Sequence, residues 1–144
     1  MPEKKTTERA QRAKRQGKAP STQAGAYVHE EIEHVRKGKH GAKSTKQAIA
    51  IGLSKARRAG VKVPAPKKAS ATTRRKAEQD SAKSGSRTKP SAKRSAATRQ
   101  ALKHASKTSA STSALSRQAK TAAKKRTAAS RSAAAKKAAR TRAA

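Results

Sequence analysis

A basic loop bounded by glycines is the first feature of the sequence that could carry chemistry. The run Gly38-Lys39-His40-Gly41-Ala42-Lys43-Ser44 combines cationic side chains with two glycines and ends at a residue suited to begin a helix. Free N–H groups at a helix N-terminus, together with nearby lysines, bind phosphate. We therefore predict phosphate contacts at Lys39, His40, Lys43, Ser44 and Lys46.

Clusters of basic residues form a second set of candidates. Residues 81–144 contain eighteen Lys and Arg and no Asp or Glu. Because nothing in that segment neutralises these charges, they favour binding to nucleic-acid phosphates with release of counterions. The further predicted contacts are Arg57, Arg58, Arg74, Arg75, Lys76, Lys93, Arg94, Lys124, Lys125, Arg126, Lys136, Lys137, Arg140 and Arg142.

Histidine and glutamate residues are concentrated between His29 and His34, where the pattern is close to the zinc-protease motif H-E-x-x-H. The two histidines are one residue too far apart, so on a helix they point about 140° apart and cannot share a metal. The chain also has no cysteine. We therefore predict no metal site, no cofactor and no enzymatic activity.

The composition indicates the class of partner. Lys and Arg number 39 against 7 Asp and Glu, for a formal net charge of +32. A chain this basic is expected to bind a polyanion, most simply nucleic acid. The only aromatic residue is Tyr27, and base stacking needs aromatic platforms. This favours duplex DNA, bound through its backbone, over single strands.

Large apolar residues are too few for one large globular domain. Alanine aside, only twelve occur in 144 residues, and nine of them lie between Tyr27 and Val63. High charge with little apolar surface to bury is typical of disorder. We therefore predict a mostly disordered chain with all-α segments, the folded part lying in the middle.

Proline and charge patterns divide the chain into three parts. The step Pro64-Ala65-Pro66 disfavours helix and marks a boundary. We predict a basic disordered leader at 1–19, a helical hairpin at 20–63 and a low-complexity basic tail at 64–144. The tail, rich in Lys, Ala and Ser, is expected to form helix at 95–107 and 115–142 when phosphates neutralise its charge.

The hairpin consists of two predicted helices, at about 22–37 and 44–59. In the first, Ala24, Val28, Ile32 and Val35 form one apolar stripe.

The second predicted helix begins with Ser44 followed three residues later by Gln47, a capping-box pattern. Gly52 lies in its apolar stripe, where a glycine would let the two backbones approach closely. Ile51 falls outside the stripe. Either it packs against Val61 and Val63, or it forms a homodimer surface with Tyr27.

The chain shows no sign of membrane insertion or secretion. Its longest apolar run, Ala48 to Leu53, is far shorter than a membrane span. The first residues have no apolar segment of the kind a secretory signal needs. We therefore expect no membrane partner and a cytoplasmic location at the nucleoid.

Two segments resemble known families. The Ala-Lys-Lys and Ala-Ala-Arg units of residues 81–144, rich in Ser and Thr, resemble the tails of linker histones and of bacterial histone-H1-like proteins. Residues 32–60 resemble a small bacterial family of unknown function. The tail resemblance implies DNA binding, whereas the other implies no activity.

These observations together favour a nucleoid-associated, histone-H1-like protein. It would bind DNA without sequence preference, neutralise phosphates and so condense the DNA. Two alternatives remain: an RNA-binding or ribosome-associated basic protein, which would use the same electrostatics, and a protein-interaction module whose tail serves as a basic anchor.

Overall fold

A computed structural model describes residues 2–66, 68–86 and 91–143. Within these ranges the chain forms seven α-helices and one 3₁₀ turn and no strand. The helices are α1 (Lys4–Arg15), α2 (Pro20–Arg36), α3 (Thr45–Arg58), α4 (Ala71–Ala82), α5 (Ala92–Lys103), α6 (Thr112–Lys124) and α7 (Ala128–Ala143), and the 3₁₀ turn is Thr108–Ala110. None of the described helices is long and apolar enough to cross a bilayer.

The prediction of a mostly disordered chain is wrong. The supposed disordered leader contains α1, and the supposed disordered tail contains α4 to α7. The prediction underestimated two effects that stabilise helices. Ala, Lys and Arg have high helix propensity, and serine N-caps begin several helices. Ser70 accepts a hydrogen bond from Thr73 N, and Ser111 accepts one from Ala114 N, both at 3.2 Å.

The predicted hairpin is confirmed as α2 and α3, which form the most extensive helix pair in the described chain. Pro20 stands in the first turn of α2, where its missing N–H costs nothing. The Ser44 side chain caps α3 by accepting from Gln47 N at 3.2 Å. Gln47 Oε1 in turn accepts from Lys43 N at 2.6 Å, so the loop is tied to the helix it precedes.

Gly52 allows α2 and α3 to pack at close range, as predicted. A Cβ atom at this position would lie 2.6 Å from Val28 Cα and 3.1 Å from the Tyr27 carbonyl oxygen. Both obstacles are backbone atoms, which cannot rotate away. Close packing of α2 against α3 therefore requires glycine at position 52.

Small residues make up most of the core. One cluster joins α1, α2 and α3 and contains Ala10, Ala24, Tyr27, Ala56 and Val61. The second contains Val35, Ala42, Ala48 and Ala110. Alanines let helices approach closely, so both clusters form with few large side chains.

Tyr27 is buried in the first core cluster with 1% of its surface exposed. In this conformation it is not available for a homodimer surface. Ile51, its proposed companion, is half-buried. Val61 and Val63 pack with the Tyr27 cluster.

Burial also raises the pKa of Tyr27 above its ordinary value of 10.0, with a smaller contribution from the nearby Glu30 charge. Because this is the only tyrosine and the chain has no tryptophan, its ionisation can be followed by ultraviolet absorbance. We expect a midpoint above 10 in the native protein and near 10 in urea. Since the folded state holds the proton more tightly, stability should be lost as pH rises above 10. Identical midpoints in buffer and in urea would contradict the buried position.

Candidate nucleic-acid interface

Part of the tail folds back onto the hairpin loop. The N–H groups of Gly41 and Ala42 donate to the carbonyls of Leu102 and Ser106, at 2.7 and 2.9 Å. Any side chain at Gly41 would collide with the backbone of Ala105. The absence of a side chain at Gly41 therefore leaves room for the segment that follows α5.

The 3₁₀ turn completes this contact. Thr45 Oγ1 donates to Ser109 O at 2.6 Å, and Arg36 Nε donates to Ala110 O at 2.9 Å. Ala110 is fully buried beside Val35, Ala42 and Ala48. The hydrogen bonds and the burial of this one alanine dock the 3₁₀ turn against α2 and α3.

The docked tail creates a polar groove of about 360 Å³. The first residues of α3 and α6 both line it, with Ser44 and Ser111 as the two N-caps. Lys43 and Arg117 supply positive charge. The full lining is Lys43, Ser44, Thr45, Ser106, Thr108, Ser109, Ser111, Ser113, Ala114 and Arg117. Two helix N-termini, hydroxyl groups and two cations give this groove the chemistry of an anion site.

The groove is lined by two of the loop residues for which a phosphate contact is predicted. Lys43 and Ser44 are exposed residues of its lining, and Lys46 is exposed on the first turn of α3. Lys39 and His40 instead face carboxylates: Lys39 Nζ lies 3.0 Å from Glu3 Oε1, and His40 Nε2 lies 3.2 Å from Glu31 Oε1.

Arg57 and Arg58 differ in their surroundings. Arg57 is buried, and its Nε donates to Val63 O at 2.9 Å. Arg58 is exposed, but its Nε and Nη2 lie 2.9 Å from Asp80 Oδ1. Both guanidinium groups are occupied within the fold, and Arg57 holds the chain after α3 in place.

The remaining predicted contacts all lie on exposed surface. Arg74, Arg75 and Lys76 are on α4, and Lys93 and Arg94 are on α5. The others lie from the end of α6 onward: Lys124, Lys125, Arg126, Lys136, Lys137, Arg140 and Arg142. The structure places these residues on α4, α5, α6 and α7 and in the link between α6 and α7. None of the side chains described on α5, α6 or α7 is buried.

Acidic residues neutralise little of this surface. Within the described ranges, the Lys and Arg residues that pair with an acid are Arg36, Lys39, Lys55 and Arg58. Every one of them lies in the hairpin, and no acidic residue follows Asp80 in the chain. The cations of α5, α6 and α7 therefore remain available to an external anion.

An ionic cluster inside the hairpin was not predicted from the sequence. Glu31 is fully buried and Glu30 is 5% exposed. Lys55 Nζ of α3 lies 2.6 Å from Glu31 Oε2 and 3.6 Å from Glu30 Oε1. Glu30 Oε2 also accepts from the backbone N–H of Glu3 at 3.1 Å, which ties the start of the chain to α2.

Two histidines border this ionic cluster. His34 Nε2 lies 2.9 Å from Glu3 Oε1. The hydrogen bond with His34, together with the Lys39 ammonium, lowers the pKa of Glu3 to about 2. Glu31, His34 and His40 each offer a ligand atom, and these atoms lie within 4.8 Å of one another. Only the fold brings them together, because His40 comes from the loop after α2.

Comparison with known proteins identifies one segment. Residues 21–68 match the model of a family of unknown function, DUF6496. This confirms the resemblance of residues 32–60 to such a family and extends it across α2 and α3. No curated protein and no solved structure is significantly similar to this chain.

Proposed function

We propose that this protein binds duplex DNA without sequence preference and acts as a nucleoid-associated, histone-H1-like protein. One observation carries the proposal: the surface of α5, α6 and α7 exposes basic side chains in a segment that has no acid. The charges cannot be satisfied within that segment. The phosphates of DNA would neutralise these charges, with release of counterions.

The groove between α3 and α6 gives the proposal a defined point of contact. A DNA-backbone phosphate in this groove would accept hydrogen bonds from N–H groups at the starts of the two helices. It would also pair with the positive charges of Lys43 and Arg117. Such contacts position a protein on DNA but do not read bases. The groove therefore supports binding without sequence preference.

The position of Tyr27 supports a duplex over a single strand. Proteins that hold single-stranded nucleic acid stack successive bases on aromatic side chains. The only aromatic residue of this chain is 1% exposed and packs against alanines. Contacts with the phosphate backbone are then the main source of affinity, and these suit a regular duplex.

In the proposed mechanism, the hairpin and the groove hold one DNA segment while the outer helices contact another. α7 has no buried side chain among those described, and Lys136, Lys137, Arg140 and Arg142 are exposed on it. Neutralising phosphates on neighbouring segments lowers their mutual repulsion. Condensation of the DNA follows from that loss of repulsion.

A competition experiment tests this function. The full-length protein is titrated with two DNA duplexes of equal length and unrelated sequence, and with structured RNA, at about 50 to 200 mM salt. We expect equal affinities for the two duplexes, tighter binding to DNA than to RNA, and a linear fall of log K with log salt. Tighter binding to RNA at every salt concentration would favour a ribosome-associated protein. Failure to bind any polynucleotide would exclude both functions.

A further inference from the structure

The residues Glu31, His34 and His40 form a cluster that the proposed DNA binding does not use. Their ligand atoms lie within 4.8 Å of one another. We propose that this cluster binds a zinc ion. One carboxylate and two imidazoles are a set of three protein ligands that zinc accepts, with water in the fourth position.

The hydrogen bond of His40 leaves its other ring nitrogen facing Glu31. Its Nδ1 lies 3.1 Å from the Gly41 carbonyl oxygen, which can only accept, so Nδ1 carries a proton. In the neutral ring, Nε2 then presents a lone pair to Glu31 Oε1 at 3.2 Å. Two acceptors face each other at a distance close to the roughly 3.4 Å between ligands on tetrahedral zinc.

His34 is held in the complementary tautomer. Its Nε2 lies 2.9 Å from Glu3 Oε1, so this nitrogen donates its proton to the carboxylate. In the neutral ring the lone pair is then on Nδ1, the nitrogen that would bind the metal. A carboxylate behind a ligating histidine fixes ring orientation and raises ligand basicity. Glu31 and His34 are three residues apart on α2 and therefore share one face of the helix.

The charges around Glu31 also leave room for a cation. Its side chain is fully buried, and its two oxygens face Lys55 Nζ and His40 Nε2 without an aligned hydrogen bond. The Lys55 ammonium faces Oε2 and is shared with Glu30, so one positive charge serves two buried carboxylates. Oε1, on the side of His40, remains for the metal. Two buried carboxylates that share one ammonium are costly, and a divalent ion would offset that cost.

Zinc titration of the full-length, tag-free protein tests the site. We expect one zinc ion per chain, binding that persists in excess Mg²⁺, and the visible spectrum of tetrahedral Co²⁺ when cobalt replaces zinc. His40→Ala and His34→Ala should each weaken zinc binding about tenfold or more. The exposed histidines outside the cluster provide matched controls, so His29→Ala and His104→Ala should bind as the wild type does.

Two results would overturn the site. One is stoichiometric zinc binding that His34→Ala and His40→Ala leave unchanged. The other is the absence of binding while circular dichroism shows the helices intact, because His40 would then contact Glu31 as an imidazolium and no metal would be needed. Both readouts are independent of nucleic acid, so failure of the DNA-binding proposal would not affect them.

Discussion

Replacing the five basic residues of α7 with glutamine is expected to weaken binding to duplex DNA on the order of 100-fold at about 50 mM salt. The residues are Arg131, Lys136, Lys137, Arg140 and Arg142. All five are exposed, and the helix holds no acid that the substitution would leave unpaired. Each lost phosphate contact should also reduce the slope of log K against log salt by about 0.9.

A charge-preserving variant is the control for changing these five side chains. In it the three arginines of α7 become lysines and the two lysines become arginines, which keeps every charge in place. We expect its DNA affinity and salt slope to equal those of the wild type, because backbone neutralisation depends on charge. Binding by the glutamine variant with an unchanged salt slope would show that α7 does not contact phosphates, and the proposed mechanism would then be wrong for this helix.

The second large effect is expected at the contact between α2 and α3. Gly52→Ala should lower the free energy of unfolding by about 2 kcal/mol, because its Cβ would lie 2.6 Å from Val28 Cα and force the helices apart. Urea unfolding followed by circular dichroism measures the change. The loss should appear despite the higher helix propensity of alanine.

Gly25 of α2 is the matched control, since it is also a helix-interior glycine. A Cβ there would meet nothing within 4 Å. Gly25→Ala should therefore raise the free energy of unfolding by about 0.5–1 kcal/mol, the usual gain in an open helical position. Opposite signs at the two positions would confirm the close packing, whereas equal stabilisation at both would contradict it.

The sequence predicted the hairpin well because its signals are local. The apolar stripe of α2 and the Ser44 cap of α3 depend on residues only a few positions apart. Gly52 was also identified, since a glycine in an apolar stripe has few other uses. The prediction failed for the leader because Ala10 of α1 packs into the first core cluster, which a count of large apolar residues misses. It failed for the tail because helix propensity and caps such as Ser111 form α5 to α7, although none of the side chains described on them is buried.

Of the predicted phosphate contacts, the sequence could place the residues that follow one another in the loop. It could not find Arg117 or Ser111, which reach the groove only because the segment after α5 docks on Gly41 and Ala42. It also predicted a phosphate contact at Arg57, although the chain after α3 folds back and accepts its hydrogen bonds.

Charge and chain composition by themselves determined the class of partner that this protein is expected to bind, because an excess of 32 positive charges does not depend on the fold. Only the tertiary structure decided which charges are consumed internally and which remain free. It also decided that His40 joins Glu31 and His34 while His29 stays outside. The physical reason is that ion pairs and ligand sets depend on distances between residues far apart in the chain, which local patterns do not fix.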